Sequence, residues 1–519
     1  MITTTDMPTQ PVLIANHWRS ANSSGSFRAE NPATREPLDE FPISTWADCD
    51  EALQAASVAF HNRWVNDWPA DKRHDASQFA DFLDAYAARI EANKAAIVEM
   101  ANRESGLPVS PRLADNELPR TTSQLRQAAA AAREGAWALP TIDKPNNIRS
   151  MFGPIGPVIV FGPNNFPLAF NSIAGGDFAA AIASGNPVIA KANTSHPGTT
   201  LLLAKEAHAA AEQVGLPAGW IQLLFRTSHE DGEKLVSDPR VGATGYTGSR
   251  HAGLKLKAAA DKAGKPIYLE LSSVNPVVIL PGALEERLDD IAGQFSTSCL
   301  MGAGQFCTNP GLVLLIAGDT TEKFLETVVA KFKAAPVGTL LSANVAKSLQ
   351  QGIGFLIRAG AHTLVGGKAS TGSGYCHANT LLRASGQQFL DAPEALQTEA
   401  FGNASLVIVA EDLDEVARCL EHLEGNLTGC IYSHTTGADD AAYNRLAPQL
   451  RLKVGRLIND KMPTGVAVSP AMNHGGPYPS TSHPGFTAVG IPASLRRFAA
   501  LHCYDNVRPN RLPPQLRDE

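Results

Sequence analysis

The sequence predicts an α/β chain built on two doubly wound parallel sheets. Short apolar runs alternate with helix-like stretches from Arg149 onward, and a second series of the same kind begins near Asn275. Such alternation is the signature of parallel strands joined by crossover helices. At 519 residues and 44% hydrophobic content, the chain can bury cores for two or three domains.

In chain order, residues 45–135 read as helical. Asp48 or Asp50 is placed to cap EALQAASVAF, and amphipathic runs follow through Ala70 to Asn102 and Leu113 to Glu134. They would cover one side of a sheet. PVIVF (157–161), PVIAK (187–191), WIQLLF (220–225), VGATGY (241–246) and PIYLEL (266–271) read as strands. Between them, FNSIAGGDFAAAIASG, the alanine-rich stretch Pro197 to Val214 and SRHAGLKLKAAADKAG read as helices. A dinucleotide would sit on this first sheet. The second series runs PVVIL, a helix from Leu284 to Leu300, LVLLIA (312–317), a helix through Lys333, SLVIVA and GCIYS. From Gly475 the chain is rich in Pro, Gly, Ser and Thr before FAALHCYDN.

Composition excludes several classes. The balance of 44 basic against 51 acidic residues gives a net charge of −7 without long blocks of one sign, so no nucleic-acid or anionic-membrane footprint is present. The seven cysteines are odd in number, scattered and free of CxxC spacing, which argues against a disulfide framework or a zinc site and for a reducing compartment. MITTTDMPTQ has neither a basic nor an apolar leader region, and LVLLIA is far short of a bilayer span. A cytoplasmic location is expected, with no metal.

Three polar residues beside turn signals form the parts of a covalent acyl-transfer site. Cys307 lies in the glycine-bounded GQFCTNPG (304–311), on the connection between a helix and a strand; Glu270 lies in YLELSSVNP (268–276); Asn165 lies in GPNNFP (162–167). Taken singly, a lone cysteine is more often inert core, a lone Asn before a proline more often stabilises a turn, and a strand-end Glu is often solvated or ion-paired. Together, and in this order, the strings resemble the aldehyde dehydrogenase superfamily over roughly residues 30 to 510. FPLAF (166–170), SHPGTT (195–200), SSVNPVVILPGAL (272–284) and NHGGPYPSTS (473–482) resemble its bacterial NADP-type ketoglutarate semialdehyde (2,5-dioxovalerate) and fatty aldehyde dehydrogenase branch.

The resemblance implies an aldehyde dehydrogenase-like α/β fold: a cofactor-binding domain over residues 1–274 with an oligomerisation hairpin near 136–152, a catalytic domain over 275–474, and a C-terminal oligomerisation segment over 475–519. It implies that Cys307 attacks the aldehyde, that the Asn165 side chain and the Cys307 N–H hold the resulting oxyanion, and that Glu270 activates the water that hydrolyses the thioester. The family's usual glycine pair after the glutamate is here Ser272 and Ser273. For the cofactor it implies Gly248, Ser249 and Gly253 at the pyrophosphate, Lys191 at the adenosine ribose, and Glu399 and Phe401 of TEAFGN at the nicotinamide ribose. Many NAD-preferring relatives carry a glutamate where this chain has Thr194, so NADP is expected over NAD, with Arg226 or His229 as the phosphate clamp. Asn403 replaces the motif's usual proline.

The expected reaction is oxidation of an aldehyde to a carboxylate, best matched to ketoglutarate semialdehyde, with medium and long aliphatic aldehydes second. Arg120 and Arg126 are the candidate basic groups for a carboxylate-bearing substrate. A CoA-acylating enzyme would not need Glu270, and a fold recruited for a structural role would show damage at the nucleophile, base or oxyanion donor. A homodimer or tetramer is expected.

Overall fold

The protein is seen in a computed structural model that describes residues 9–66, 76–370 and 372–518. Residues 1–8 of the segment read for targeting, and residues 70–75 of the run read as helix, lie outside these.

The first series of apolar runs forms strands Val158–Phe161, Val188–Lys191, Ile221–Leu224, Ala243–Thr247 and Ile267–Glu270. All five are parallel, and across the sheet they stand in the order 267–270, 243–247, 158–161, 188–191, 221–224. The chain therefore winds outward from a central strand, then returns to that strand's other side. The carboxyl ends of Val158–Phe161 and Ala243–Thr247 flank the reversal, where loops of opposite winding diverge and leave a crevice. Val158, Ile159, Val188, Ile189 and Ala190 are wholly buried because helices cover both faces. Each buried Val or Ile side chain contributes about 1.5–3 kcal/mol.

An N-terminal hairpin, Val12–Ile14 and His17–Arg19, pairs antiparallel with Ile221–Leu224 and widens the sheet to seven strands. Strands of three residues carry too little periodicity to stand out in the sequence.

The second series forms another seven-stranded sheet, in the order 362–365, 380–385, 404–410, 312–316, 277–279, 426–432, 454–459, parallel except for its 362–365 edge. A separate three-stranded antiparallel sheet joins Thr141–Asp143, Ile148–Pro154 and Ala499–Asp505.

Several local expectations are corrected. The first helix, Trp46–His61, starts after Thr45 and has no side-chain cap. Asp48 is buried and instead accepts hydrogen bonds from Arg19 Nη2, Asn22 N–H and Asn22 Nδ2 at 3.0–3.1 Å, tying the helix to the N-terminal strands. The long 70–102 run divides at Asn93 into Ser77–Ala92 and Lys94–Ser105. Of FNSIAGGDFAAAIASG only Gly176–Ala183 is helical. Residues 167–175 stay in turns because Asn171 bonds its own neighbours, Nδ2 to Pro167 O at 2.8 Å and Oδ1 to Ile173 N–H at 3.1 Å. The helix expected from Leu284 begins at Pro281, where the Asp439 carboxylate accepts the N–H groups of Gly282 and Ala283 at 3.1 and 3.0 Å.

Candidate active site

Helix Pro281–Leu300 ends in a tight turn in which Gly302, Ala303 and Gly304 all take left-handed φ values of 55°, 55° and 69°. A Cβ on Gly304 would lie 2.0 Å from Gly402 O, so only glycine lets the cysteine loop press against the 398–403 loop. Asn275 fixes the far side of the cysteine loop, its Nδ2 donating to Cys307 O at 2.9 Å and Asn309 O at 2.8 Å. The thiol is left partly exposed rather than sealed in the core.

Two groups meet that thiol. His474 Nε2 lies 3.4 Å from Cys307 Sγ and 3.0 Å from Glu270 Oε1, and the three ligating atoms fall within 4.8 Å of one another. His474 and Glu270 are each 1% exposed. Burial pulls the imidazole's pKa down, but the Glu270 carboxylate and the Cys307 sulfur on either side outweigh it and lift the pKa to about 10. Their negative charge favours the imidazolium form of the histidine. Its backbone is held by Thr487 Oγ1, which accepts the His474 N–H at 3.0 Å, and by Ala488 N–H, which donates to His474 O at 2.9 Å. Glu270 Oε2 has no partner among the described residues. A buried carboxylate oxygen left open in this way is available to a water.

Asn165 is 6% exposed, and its Nδ2 donates to Gln305 O at 3.0 Å, which carries the amide to the cysteine loop. A side-chain amide has two N–H groups, so one remains. The backbone N–H of Cys307 donates to no described residue. The cysteine loop thus carries two N–H groups without a described partner, one on the Asn165 amide bonded to it and one on Cys307 itself.

The other sequence-derived residues lie along the crevice at the sheet's carboxyl edge. Gly248 N–H donates to Glu270 O at 3.1 Å, joining that turn to the end of the Glu270 strand. Ser249 caps helix Arg250–Lys262 by accepting the Ala252 N–H at 3.4 Å, and Gly253 N–H bonds Ser249 O. The remaining N–H groups of that first turn are open to an anion. A Cβ on Gly253 would lie 2.6 Å from Leu271, so the helix N-terminus packs directly on the strand layer. Lys191, at the end of its strand, has its amine pKa brought down to about 8 by burial, with Arg226 nearby adding to the shift. Thr194 and Arg226 are exposed, as is His229 at the start of its own helix. Glu399 and Phe401 line a small cavity shared with Gly304 and Phe306, and Glu399 also borders a cleft of about 220 Å³ with Arg250 and Ser272. Burial lifts the Glu399 pKa to about 7 against the hydrogen bonds of Ser272 and of the Ser273 N–H. Where the family has glycines, the two serines therefore brace Glu399, and Ser273 Oγ also accepts the Leu427 N–H at 3.0 Å. Open helix N–H groups, a lysine beside an arginine and a braced carboxylate at one sheet edge form a donor set that fits a dinucleotide.

The profile of the aldehyde dehydrogenase family matches residues 18–484. The chain belongs to that family. Among curated relatives it is 41% identical to alpha-ketoglutaric semialdehyde dehydrogenase 2 of Azospirillum brasilense, over 96% of this chain and 94% of that protein. It is 35% identical to alpha-ketoglutaric semialdehyde dehydrogenase of Acinetobacter baylyi, over 97% and 95%. Its fold matches aldehyde dehydrogenase C of Pseudomonas syringae, solved with NAD+ and octanal, at TM-score 0.81 and 20% identity over 97% of this chain and 98% of that one. The protein is an NAD(P)-dependent aldehyde dehydrogenase, an oxidoreductase acting on the aldehyde group. No helix among the described residues is long and apolar enough to cross a membrane.

For this aldehyde dehydrogenase, the sequence pointed to Cys307, Glu270 and Asn165, and the fold brings all three to one place. It separates the two arginine candidates: Arg126 is exposed and paired with Glu91 at 2.6 and 2.8 Å, whereas Arg120 is partly buried beside Phe166 and Phe170. His474 was not singled out. Its only signal was its place in NHGGPYPSTS, a histidine bounded by Asn and two glycines in a segment without helix or strand periodicity.

Proposed function

We propose that the protein oxidises α-ketoglutaric semialdehyde to 2-oxoglutarate through a covalent intermediate on Cys307, with NADP preferred over NAD. The observation that carries the chemistry is the chain of contacts from Cys307 Sγ to His474 Nε2 to Glu270 Oε1, at 3.4 and 3.0 Å. The imidazolium favours the thiolate by Coulomb attraction, and the thiolate is the nucleophile. Sulfur adds to the aldehyde carbon, and the oxygen that becomes anionic is met by the Asn165 amide and the Cys307 N–H. NAD(P), which Lys191, Ser249 and Glu399 would hold, would supply a hydride acceptor for this thiohemiacetal. Glu270 then takes a proton from water through its open Oε2, hydroxide attacks the thioester, and the carboxylate departs as the thiolate is restored.

The substrate reading is supported by the two ketoglutaric semialdehyde relatives, each aligned over nearly the whole chain. Preference for NADP is supported by Lys191 and Arg226 standing together where Thr194 offers no carboxylate to repel a 2′-phosphate. On this reading residues 1–274 bind cofactor, 275–474 carry the nucleophile, and 475–519 with the hairpin near 136–152 serve assembly. A homodimer is supported by the exposed Ile142, Ile148 and Leu501 on the three-stranded sheet. Seven free cysteines support a reducing, cytoplasmic setting. A panel of ketoglutaric semialdehyde, succinic semialdehyde and hexanal, each with NAD and NADP, tests the proposal; rates within twofold across the aldehydes would overturn the substrate assignment.

A further inference from the structure

Helix Leu118–Glu134 places Arg120 in its first turn, where the guanidinium lies over two rings, 5.0 Å from the centre of Phe170 and 5.7 Å from that of Phe166. Its Nε and Nη2 are sealed from solvent and bond to nothing among the described residues. This contrasts with its neighbour Arg112, which stacks on Phe166 and Phe306 but is neutralised by Glu117 and donates Nη2 to Asn165 O at 3.0 Å. Glu117 is fully engaged, accepting the N–H groups of Leu168 and Ala169 at 2.8 and 3.0 Å besides Arg112. Among the described residues, no carboxylate pairs with Arg120.

A buried cation without a partner costs stability, and such groups persist where a ligand completes them. Burial lowers the pKa of Arg120, while negative charge at Cys307, Glu117 and Glu270 opposes that shift, so the guanidinium faces the reacting groups electrostatically. Phe170 supplies the geometric link. Its ring centre is 5.0 Å from the guanidinium and 5.9 Å from the His474 ring, so the sum of the two legs bounds the separation of Arg120 from His474 at about 11 Å. His474 in turn touches the sulfur. An extended five-carbon chain spans about 5 Å between its terminal carbons, and a guanidinium–carboxylate contact adds about 3 Å from nitrogen to oxygen. A short acid held by both ends matches that span.

We infer that Arg120 is the specificity-determining residue of the substrate tunnel, binding the carboxylate of a short oxo-acid aldehyde through its planar fork while Cys307 takes the aldehyde end. The Phe166 and Phe170 faces hold the fork in place and keep water from it. The inference rests on the oxo-acid substrate reading given above. It adds the group that separates such an acid from a neutral aldehyde of equal length.

The test compares kcat/KM for ketoglutaric semialdehyde and for pentanal in the wild type, Arg120→Met and Arg120→Lys. The wild type should favour the acid. In Arg120→Met the acid-to-pentanal ratio should fall about 100-fold, mostly through KM of the acid, as loss of a charge-assisted pair predicts. Arg120→Lys should recover part of the ratio, since it keeps the charge but not the fork. The Tm of Arg120→Met should equal or exceed that of the wild type, because an unpaired buried charge is gone. A merely structural arginine would slow both substrates alike and leave the ratio unchanged, and that result overturns the assignment. A wild type without preference for the acid would defeat the substrate reading itself, and the role of Arg120 with it.

Discussion

Replacing His474 with glutamine removes the positive charge from between sulfur and carboxylate while leaving a polar side chain in its place. At 3.4 Å, attraction between an imidazolium and a thiolate is worth about 1 kcal/mol at the dielectric constant of water and about 5 kcal/mol at an effective value of 20. The site is buried but opens to solvent at Cys307, so a middle value of about 3 kcal/mol is appropriate for the attraction lost. Alkylation of Cys307 by iodoacetamide, followed by peptide mass mapping at fixed pH, reads this directly. An ordinary thiol is already a few per cent thiolate at pH 7, so the variant should react up to about 30-fold more slowly there. The sign of the pH dependence follows from the direction of the shift. The His474 pKa is raised to about 10 from an ordinary value of about 6.5, so its charge and the stabilisation it brings are complete below the lower figure and are lost as pH rises through the higher one. The gap between wild type and variant should narrow as pH rises through the ordinary thiol range of about 8.5, where an unassisted sulfur ionises as well, and be closed above pH 10. Equal rates at pH 7, or a gap that persists well above pH 10, would refute the reasoning.

Asn165→Ala removes one of the two proposed oxyanion donors and should lower kcat by about 10²- to 10³-fold with cofactor affinity retained, checked by steady-state rates alongside NADP titration. Arg226→Ala should weaken NADP more than NAD, shifting the ratio of their KM values by roughly tenfold; an unchanged ratio would move the clamp elsewhere. Gly304→Ala should destabilise the protein by several kcal/mol, read as a lowered Tm, because the new methyl would lie 2.0 Å from Gly402 O in a left-handed residue.

What the sequence made legible follows from the range over which its signals act. The parallel strands were readable because strands covered on both faces are continuous apolar runs, as in Val158–Phe161 and Ala404–Ala410. Cys307 and Glu270 were readable because each lies in a short string with turn residues at fixed offsets. His474 was not, since it reaches Cys307 across 167 residues and Glu270 across 204 from a segment with no regular structure. Asp48 shows the opposite failure. Its local setting suited a helix cap, but tertiary partners at Arg19 and Asn22 claimed it. The serines after Glu270 read as a departure from the family's glycines, and only the fold shows them turned to bracing Glu399 and Leu427.

The most direct test of the covalent account is Glu270→Gln mixed with aldehyde and NADP. With the base removed, hydride transfer proceeds but the thioester is not hydrolysed. The account predicts a burst of one reduced cofactor per subunit and an acyl mass increment on the Cys307 peptide. Sustained turnover at the wild-type rate with Cys307 unmodified would contradict it.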